Sequence, residues 1–171
     1  MGQRSQAKLI MELLTPPTEK IEVKTATGET EMKDAGSREI MELSYELTKY
    51  TDPDGQVAST TRGGKITMTM RAPTEENPEL VHWLRENVNG YSGNIEIQNT
   101  LGVKMRTIHF EDAHCVNYKE KWKEADAEFL KDDDGNYLTV QKPTVHHSEE
   151  ITISCRKIII DEKVEFIRQW Y

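Results

Sequence analysis

Two alternating segments within residues 39–71, joined by a long connection, limit what this chain can become. From Met41 to Thr48, apolar or aromatic residues (Met41, Leu43, Tyr45, Leu47) take turns with polar ones (Glu42, Ser44, Glu46, Thr48). A period of two puts the two sets on opposite faces of a sheet. Residues 65–71 repeat the pattern, with Ile66, Met68 and Met70 inward and Lys65, Thr67, Thr69 and Arg71 outward. The connection, residues 50–64, contains Asp52-Pro53-Asp54-Gly55, a polar middle and Gly63-Gly64. Hairpin loops usually close in about two to five residues, and a longer loop on a rigid sheet is either mobile or functional.

The strand signal continues on both sides. Residues 7–14 form a first strand ended by Pro16-Pro17, and residues 19–25 set Ile21 and Val23 against Glu22 and Lys24. Residues 26–37 are polar, with Gly28 and Gly36, and read as a loop or a short added hairpin. Asn77-Pro78-Glu79 starts a helix: Asn as N-cap, Pro at the first position, Glu at the positive end of the dipole. Leu80, Val81, Trp83, Leu84 and Val88 follow at helical spacing, and Gly90 suits the closing position. The stripe Leu80, Val81, Trp83 and Leu84 is expected to pack on a sheet. Strands resume at residues 94–99, turn at Leu101-Gly102, and continue through 103–111 with a change of phase near Thr107 that suggests a bulge or twist. In residues 113–122, Val116, Tyr118 and Trp122 fall on one side of a strand, although Tyr118, Trp122, Ala125 and Phe129 also share a helical face. Strand is favoured to about residue 121. Residues 123–147 are acidic and irregular. Residues 151–160 form a long strand that changes phase in the middle, and residues 161–163 turn into a last strand. This is a mainly β chain: an antiparallel barrel or sandwich with one flanking α-helix, in a single domain.

Composition removes several functions. With 22 basic and 30 acidic residues the net charge is −8, which disfavours a general nucleic-acid binder. The apolar run Leu9-Ile10-Met11, broken by Glu12, is too short for a signal core or a membrane span. The chain is expected to be cytoplasmic unless a dedicated machine exports it. Cys115 and Cys155 read as reduced core thiols on strands. Asp132-Asp133-Asp134 lacks the ligand spacing and closing Glu of a calcium loop. His146-His147 has no cysteine or carboxylate at a ligand-like offset. Gly63-Gly64 opens a strand, which is wrong for a phosphate loop, and no serine sits in a nucleophile elbow. The methionines read as core filler, and Trp83, Trp122 and Trp170 as packing or interface anchors. No catalytic group, metal site or cofactor site is expected. An antiparallel sheet must also manage its edges, and closure does so, within one chain or around a ring of chains.

The stretch Leu43-Ser44-Tyr45-Glu46-Leu47, the polar loop with Asp54-Gly55, and Gly63-Gly64-Lys65-Ile66 resemble the Hcp family, the tube proteins of the type VI secretion system (TssD in its Bacteroidetes branch). The likeness continues in order through the helix at residues 78–89, Tyr91-Ser92-Gly93-Asn94-Ile95, residues 105–111, and Ile151-Thr152-Ile153-Ser154-Cys155-Arg156-Lys157-Ile158. It covers about residues 41–118 and 149–161. Residues 16–37 and 123–147 are longer than the family pattern and read as insertions.

The resemblance implies an Hcp-like β-barrel that forms homohexameric rings. These stack into a tube inside a contractile sheath, which expels tube and spike, and small effectors can ride in the lumen. By position, the loop at residues 50–64 is similar to the family's extended loop, which reaches neighbouring subunits and the adjacent ring. Asp52, Asp54, Gly55, Gln56 and Val57 are the candidate ring or stacking contacts. Ser44, Thr48, Thr67 and Thr69 are candidates for a lumen or subunit-contact face. Two other readings stay open: a tube subunit of a related contractile injection particle or phage tail, and a monomeric β-barrel that holds a ligand with its long loop.

Overall fold

The structure, a computed structural model, describes residues 5–25, 27–57, 64–124, 133–136 and 145–167, with Lys24 and Val145 described by their backbone only. In chain order the elements are β1 (Gln6–Met11), β2 (Glu19–Lys24), β3 (Thr30–Tyr45), β4 (Lys65–Arg71), α1 (Glu79–Arg85), β5 (Tyr91–Gln98), β6 (Lys104–Glu124), β7 (Val145–Ile160) and β8 (Val164–Ile167). Every pairing is antiparallel. The order β1-β5-β6-β7-β4-β3 closes on itself, because β3 also pairs with β1 from Ala7↔Ile40 to Met11↔Gly36. The result is a six-stranded barrel with β2 added beside β3 and β8 beside β7.

β3 closes the barrel by serving three neighbours in turn: β2 up to Ala35, β1 from Gly36 to Ile40, and β4 from Ile40 to Tyr45. Residues 26–37, read as loop or short hairpin, are therefore part of a real hairpin. Its turn is held by Thr25 N–H on the Glu29 carbonyl and Gly28 N–H on the Thr25 carbonyl. Its second strand runs unbroken into the organising one. The pairs Ile40↔Met70 and Glu42↔Thr69 leave Met41 as an extra, bulged residue. That bulge corrects the expected phase: Met41 is 55% exposed and Ile40 takes its inward place. Leu43, Tyr45 and Leu47 pack partly buried against the core, and Ile66, Met68 and Met70 are fully buried. With Leu9, Met11, Ile95, Ile108, Phe110, Ile151, Ile153 and Ile158 they fill the interior. Each such side chain stabilises the fold by about 1.5–3 kcal/mol relative to exposure.

α1 is shorter than its sequence suggests. Asn77 Oδ1 accepts the Glu79 N–H (3.0 Å), as a start signal should, but Pro78 is the boundary residue by conformation. At the other end Glu86 turns extended (ψ 117°), well before Gly90. The Glu86 carboxylate then accepts the Val88 and Asn89 N–H groups (2.9 and 3.2 Å), which holds its pKa below the ordinary value. So short a helix meets the barrel along one line. Leu80 and Trp83 are buried, whereas Val81 and Leu84, expected in the core stripe, are 44% and 38% exposed. Successive residues lie about 100° apart on a helix, so Val81 and Leu84 fall to one side of that line. Trp83 fixes the contact. Its Nε1–H donates to the Ala113 carbonyl (3.1 Å), and its ring stacks on Phe110 and meets Tyr91 edge-on.

β6 is a single strand throughout residues 104–124, so the helical alternative at its C-terminal half does not apply. Three irregularities curl it. Met105 is extra between Ile97↔Arg106 and Gln98↔Lys104, two residues before the expected bulge. Asp112 has φ 51° beside the shift between Tyr91 and Gly93. Val116 is extra between Cys115↔Ile153 and Asn117↔Thr152. These shifts turn Ala113 and Cys115 inward and leave Val116 exposed; Trp122, on the same face as Tyr118 by alternation, is exposed as well. Residues 123–147 begin and end as paired strand (Lys123↔His146, Glu124↔Val145) rather than as irregular chain. Residues 125–132 and 137–144, with Asp132 and Phe129, lie outside the described residues, as does Trp170. Among the described residues no helix is long and apolar enough to cross a membrane.

One buried charge cluster ties four barrel strands together. The Glu149 carboxylate on β7, 3% exposed, accepts Arg38 Nη2 from β3 (2.7 Å) and the Tyr118 hydroxyl from β6 (2.5 Å). Arg38 Nη2 also donates to the Arg71 carbonyl on β4. Burial, and then the Glu149 hydrogen bond, push the Tyr118 hydroxyl well above the ordinary phenol range. Removing Glu149 leaves the Arg38 guanidinium without its carboxylate and the Tyr118 hydroxyl without its acceptor. Glu149→Ala is expected to cost about 3–5 kcal/mol in urea unfolding, and Glu149→Ala with Arg38→Met to recover part of it. Equal losses in the two variants would contradict the pairing. Gly93 marks a second constraint, since a Cβ there would lie 2.7 Å from both the Ile10 carbonyl oxygen and the Phe110 ring. Gly93→Ala should lower stability by about 1–3 kcal/mol, and an unchanged unfolding midpoint would refute the close approach.

Candidate functional site

In the connection between β3 and β4, residues 51–57 form a turn ordered by one side chain. Thr51 and Val57 bridge antiparallel. Within that bridge the Asp52 carboxylate accepts the Asp54 and Gln56 N–H groups (3.0 and 2.8 Å). Asp52 N–H donates to the Gln56 carbonyl and Gly55 N–H to the Asp52 carbonyl, with Gly55 at φ 81°. Short polar side chains that accept nearby amides, followed by a left-handed Gly, make a self-contained turn. Asp54, Gly55, Gln56 and Val57 are exposed on it. Such a tip meets a partner with little left to order, which lowers the entropic cost of binding. Residues 58–63 lie outside the described residues.

The outward face of the organising strands forms cross-strand rows. Ser44, Thr67, Thr152 and Asn117 stand side by side across β3, β4, β7 and β6, with the Thr67 and Thr152 hydroxyls 3.0 Å apart. The next row is Glu42, Thr69, Glu150 and Lys119, where Thr69 Oγ1 lies 3.5 Å from Glu150 Oε2. Ser44, Thr67 and Thr69 therefore share one polar face. Thr48 lies beyond the end of β3 and is in neither row. Asn117, Thr152 and Glu150 belong to this face and escape a reading strand by strand. Only the outward alternation of Thr152 against Ile151 and Ile153 hints at it.

The titratable groups elsewhere hold strands together. Burial raises the Cys115 thiol to about 11 and the Cys155 thiol to about 12, far from a reactive thiolate. His109 lies between Asn94 Oδ1 (2.6 Å) and Glu111 Oε1 (3.3 Å). Lys157 bridges Glu111 and Glu165, and the Glu165 hydrogen bond holds its ammonium above the ordinary range. His147 Nε2 meets Glu120 (3.0 Å), while His146, its neighbour along the strand, points to the other face. An open cleft of about 560 Å³ is lined by Thr15, Pro16 and residues 73–79. There the Glu79 carboxylate is engaged by the Thr15 N–H (2.7 Å) and hydroxyl. Among the described residues no group of three His, Cys, Asp or Glu could hold a metal ion.

A turn ordered by its own hydrogen bonds and a polar outer face thus lie on a closed barrel. The family model for hemolysin coregulated protein Hcp (TssD) matches residues 18–171. Among solved structures, Hcp1 from Flavobacterium johnsoniae aligns over 95% of this chain and 99% of its own, at 20% identity and a TM-score of 0.57. A crystal structure of an Hcp protein aligns over 96% and 99%, at 14% identity and a TM-score of 0.53. Hcp1 from Salmonella typhimurium aligns over 97% and 92%, at 7% identity and a TM-score of 0.50. At these identities the likeness is one of fold. Comparison with curated proteins gives no match. Because the family model covers residues 18–171, the chain belongs to the Hcp (TssD) family, the structural tube subunits of a secretion apparatus.

Proposed function

We propose that this chain is a single-domain, ring-forming subunit of a type VI secretion inner tube. Copies close into homohexameric rings, and the rings stack into the tube that a contractile sheath expels with its spike and baseplate partners. The observation that carries this reading is the turn at residues 51–57, ordered by bonds within the chain, on a barrel that closes by itself. Asp52 shapes it, and Asp54, Gly55, Gln56 and Val57 meet the neighbouring subunit or ring. The polar face with Ser44, Thr67 and Thr69 is hydrated enough to border a water-filled lumen in which effectors travel. Thr48, outside that face, is assigned to the subunit contact. The chain works without catalysis or cofactor. It is made in the cytoplasm and leaves through the apparatus.

Negative-stain electron microscopy with light scattering tests the reading. Closed rings with a mass near six subunits support it, and a monodisperse monomer at high concentration favours the ligand-binding module. Asp52→Ala removes the two carboxylate–amide bonds of the tip. It should weaken ring stacking or assembly about tenfold while changing unfolding stability by less than about 1 kcal/mol. Deletion of residues 54–60 should do the same more severely. Assembly indistinguishable from the unmodified chain in both variants would sink the role given to the loop.

A further inference from the structure

The open cleft between the chain after β1 and the segment leading into α1 carries one sign of charge. Glu75, Glu76 and Glu79 line it, and no Lys, Arg or His does. None of the ion pairs among the described residues includes any of the three. Glu75 and Glu76 are exposed, whereas Glu79 is 9% exposed. The two oxygens of the Glu79 carboxylate are used unequally. Oε1 accepts the Thr15 N–H (2.7 Å) and hydroxyl. Oε2 is closed off from the surface and meets no donor among the described residues. A buried carboxylate oxygen normally has a donor, and leaving it without one is costly. Acids gathered along a concave, low-dielectric wall also add their fields, which draws a cation into the cleft.

The walls narrow the choice of cation. Three of the chain's six prolines, Pro16, Pro73 and Pro78, line the cleft. Their rings are apolar and fix the backbone locally, so they offer a preset surface to an aliphatic stem. The volume, about 560 Å³, is that of a cleft for an organic group. The three acids are not gathered tightly enough for a metal ion, since among the described residues no group of three His, Cys, Asp or Glu could hold one. Negative charge spread over several carboxylates suits a planar, delocalised and weakly hydrated guanidinium better than a compact ammonium.

We propose that this cleft binds a guanidinium group on an aliphatic stem. The stem lies along the prolines, and the head lies among Glu75 and Glu76, directed toward the Glu79 carboxylate. The site stands on the cleft itself and goes beyond the tube reading, which gives the cleft no role.

The test is ligand-observed saturation-transfer NMR on the full-length protein, which works for weak ligands on large assemblies. The probes are N-acetyl-L-argininamide, its neutral isostere N-acetyl-L-citrullinamide, and butylguanidine. The arginine probe should bind at least about tenfold more tightly than the citrulline one, because only it brings charged donors. Glu75→Gln with Glu76→Gln should weaken its binding about fivefold without moving the unfolding midpoint. Glu79→Gln keeps an acceptor for Thr15 and should weaken binding as well; if that variant fails to fold, the Glu75/Glu76 pair decides. Tighter binding of the arginine probe than of butylguanidine supports the site and points to an arginine side chain of a partner protein. Equal binding of those two supports the site and points to a free alkylguanidine. Equal binding of the arginine and citrulline probes, or binding unchanged in the double variant, would overturn the site. Rings seen in the same sample would leave the tube reading standing.

Discussion

The fold depends on β3 having hydrogen-bonding partners along its whole length. An unpaired strand in an antiparallel sheet is a template for uncontrolled association. Here sixteen residues of one strand satisfy β2, β1 and β4 in succession, and the pairing with β1 turns an open sheet into a barrel. The extra residue at Met41 lies where β3 passes from β1 to β4, so the bulge adds the local twist where the strand changes partner. The two short strands added beside the barrel have features that discourage further pairing. β2 carries Glu19, Lys20, Glu22 and Lys24 among its six residues, and β8 is only four residues long.

Arg38, Glu149 and Tyr118 meet where β3, β6 and β7 must keep register with β4. An apolar contact tolerates a slip of two residues along a strand because the same face stays inward. A buried carboxylate with two specific donors does not. The cluster is weak support for net stability. Its better use here is to select one register among several that would bury similar area.

Much of this was legible along single strands. The alternation at residues 65–71 and the turn at Leu101-Gly102 correspond to observed elements, because each depends on a few neighbouring residues. The misreadings within the strands share one cause, the pairing partner. Met41, Met105 and Val116 are extra residues only relative to the strand across from them, and periodicity within one segment carries no trace of that. The rows that set Thr67 beside Thr152 and Ser44 beside Thr67 exist only through register between distant segments. At α1 the apolar spacing promised a longer helix. Glu86 ends it by accepting amides from Val88 and Asn89, a competition that local propensity alone does not decide.

A barrel that closes within one chain leaves its surface loops and side chains to make the contacts from which a tube is built. Backbone pairing between copies would add affinity with little dependence on sequence. Projecting side-chain surfaces depend on shape and charge, and so distinguish one neighbour from another. The turn around Asp52 fits that demand: its backbone bonds are already made inside the chain, so a neighbour meets a fixed shape.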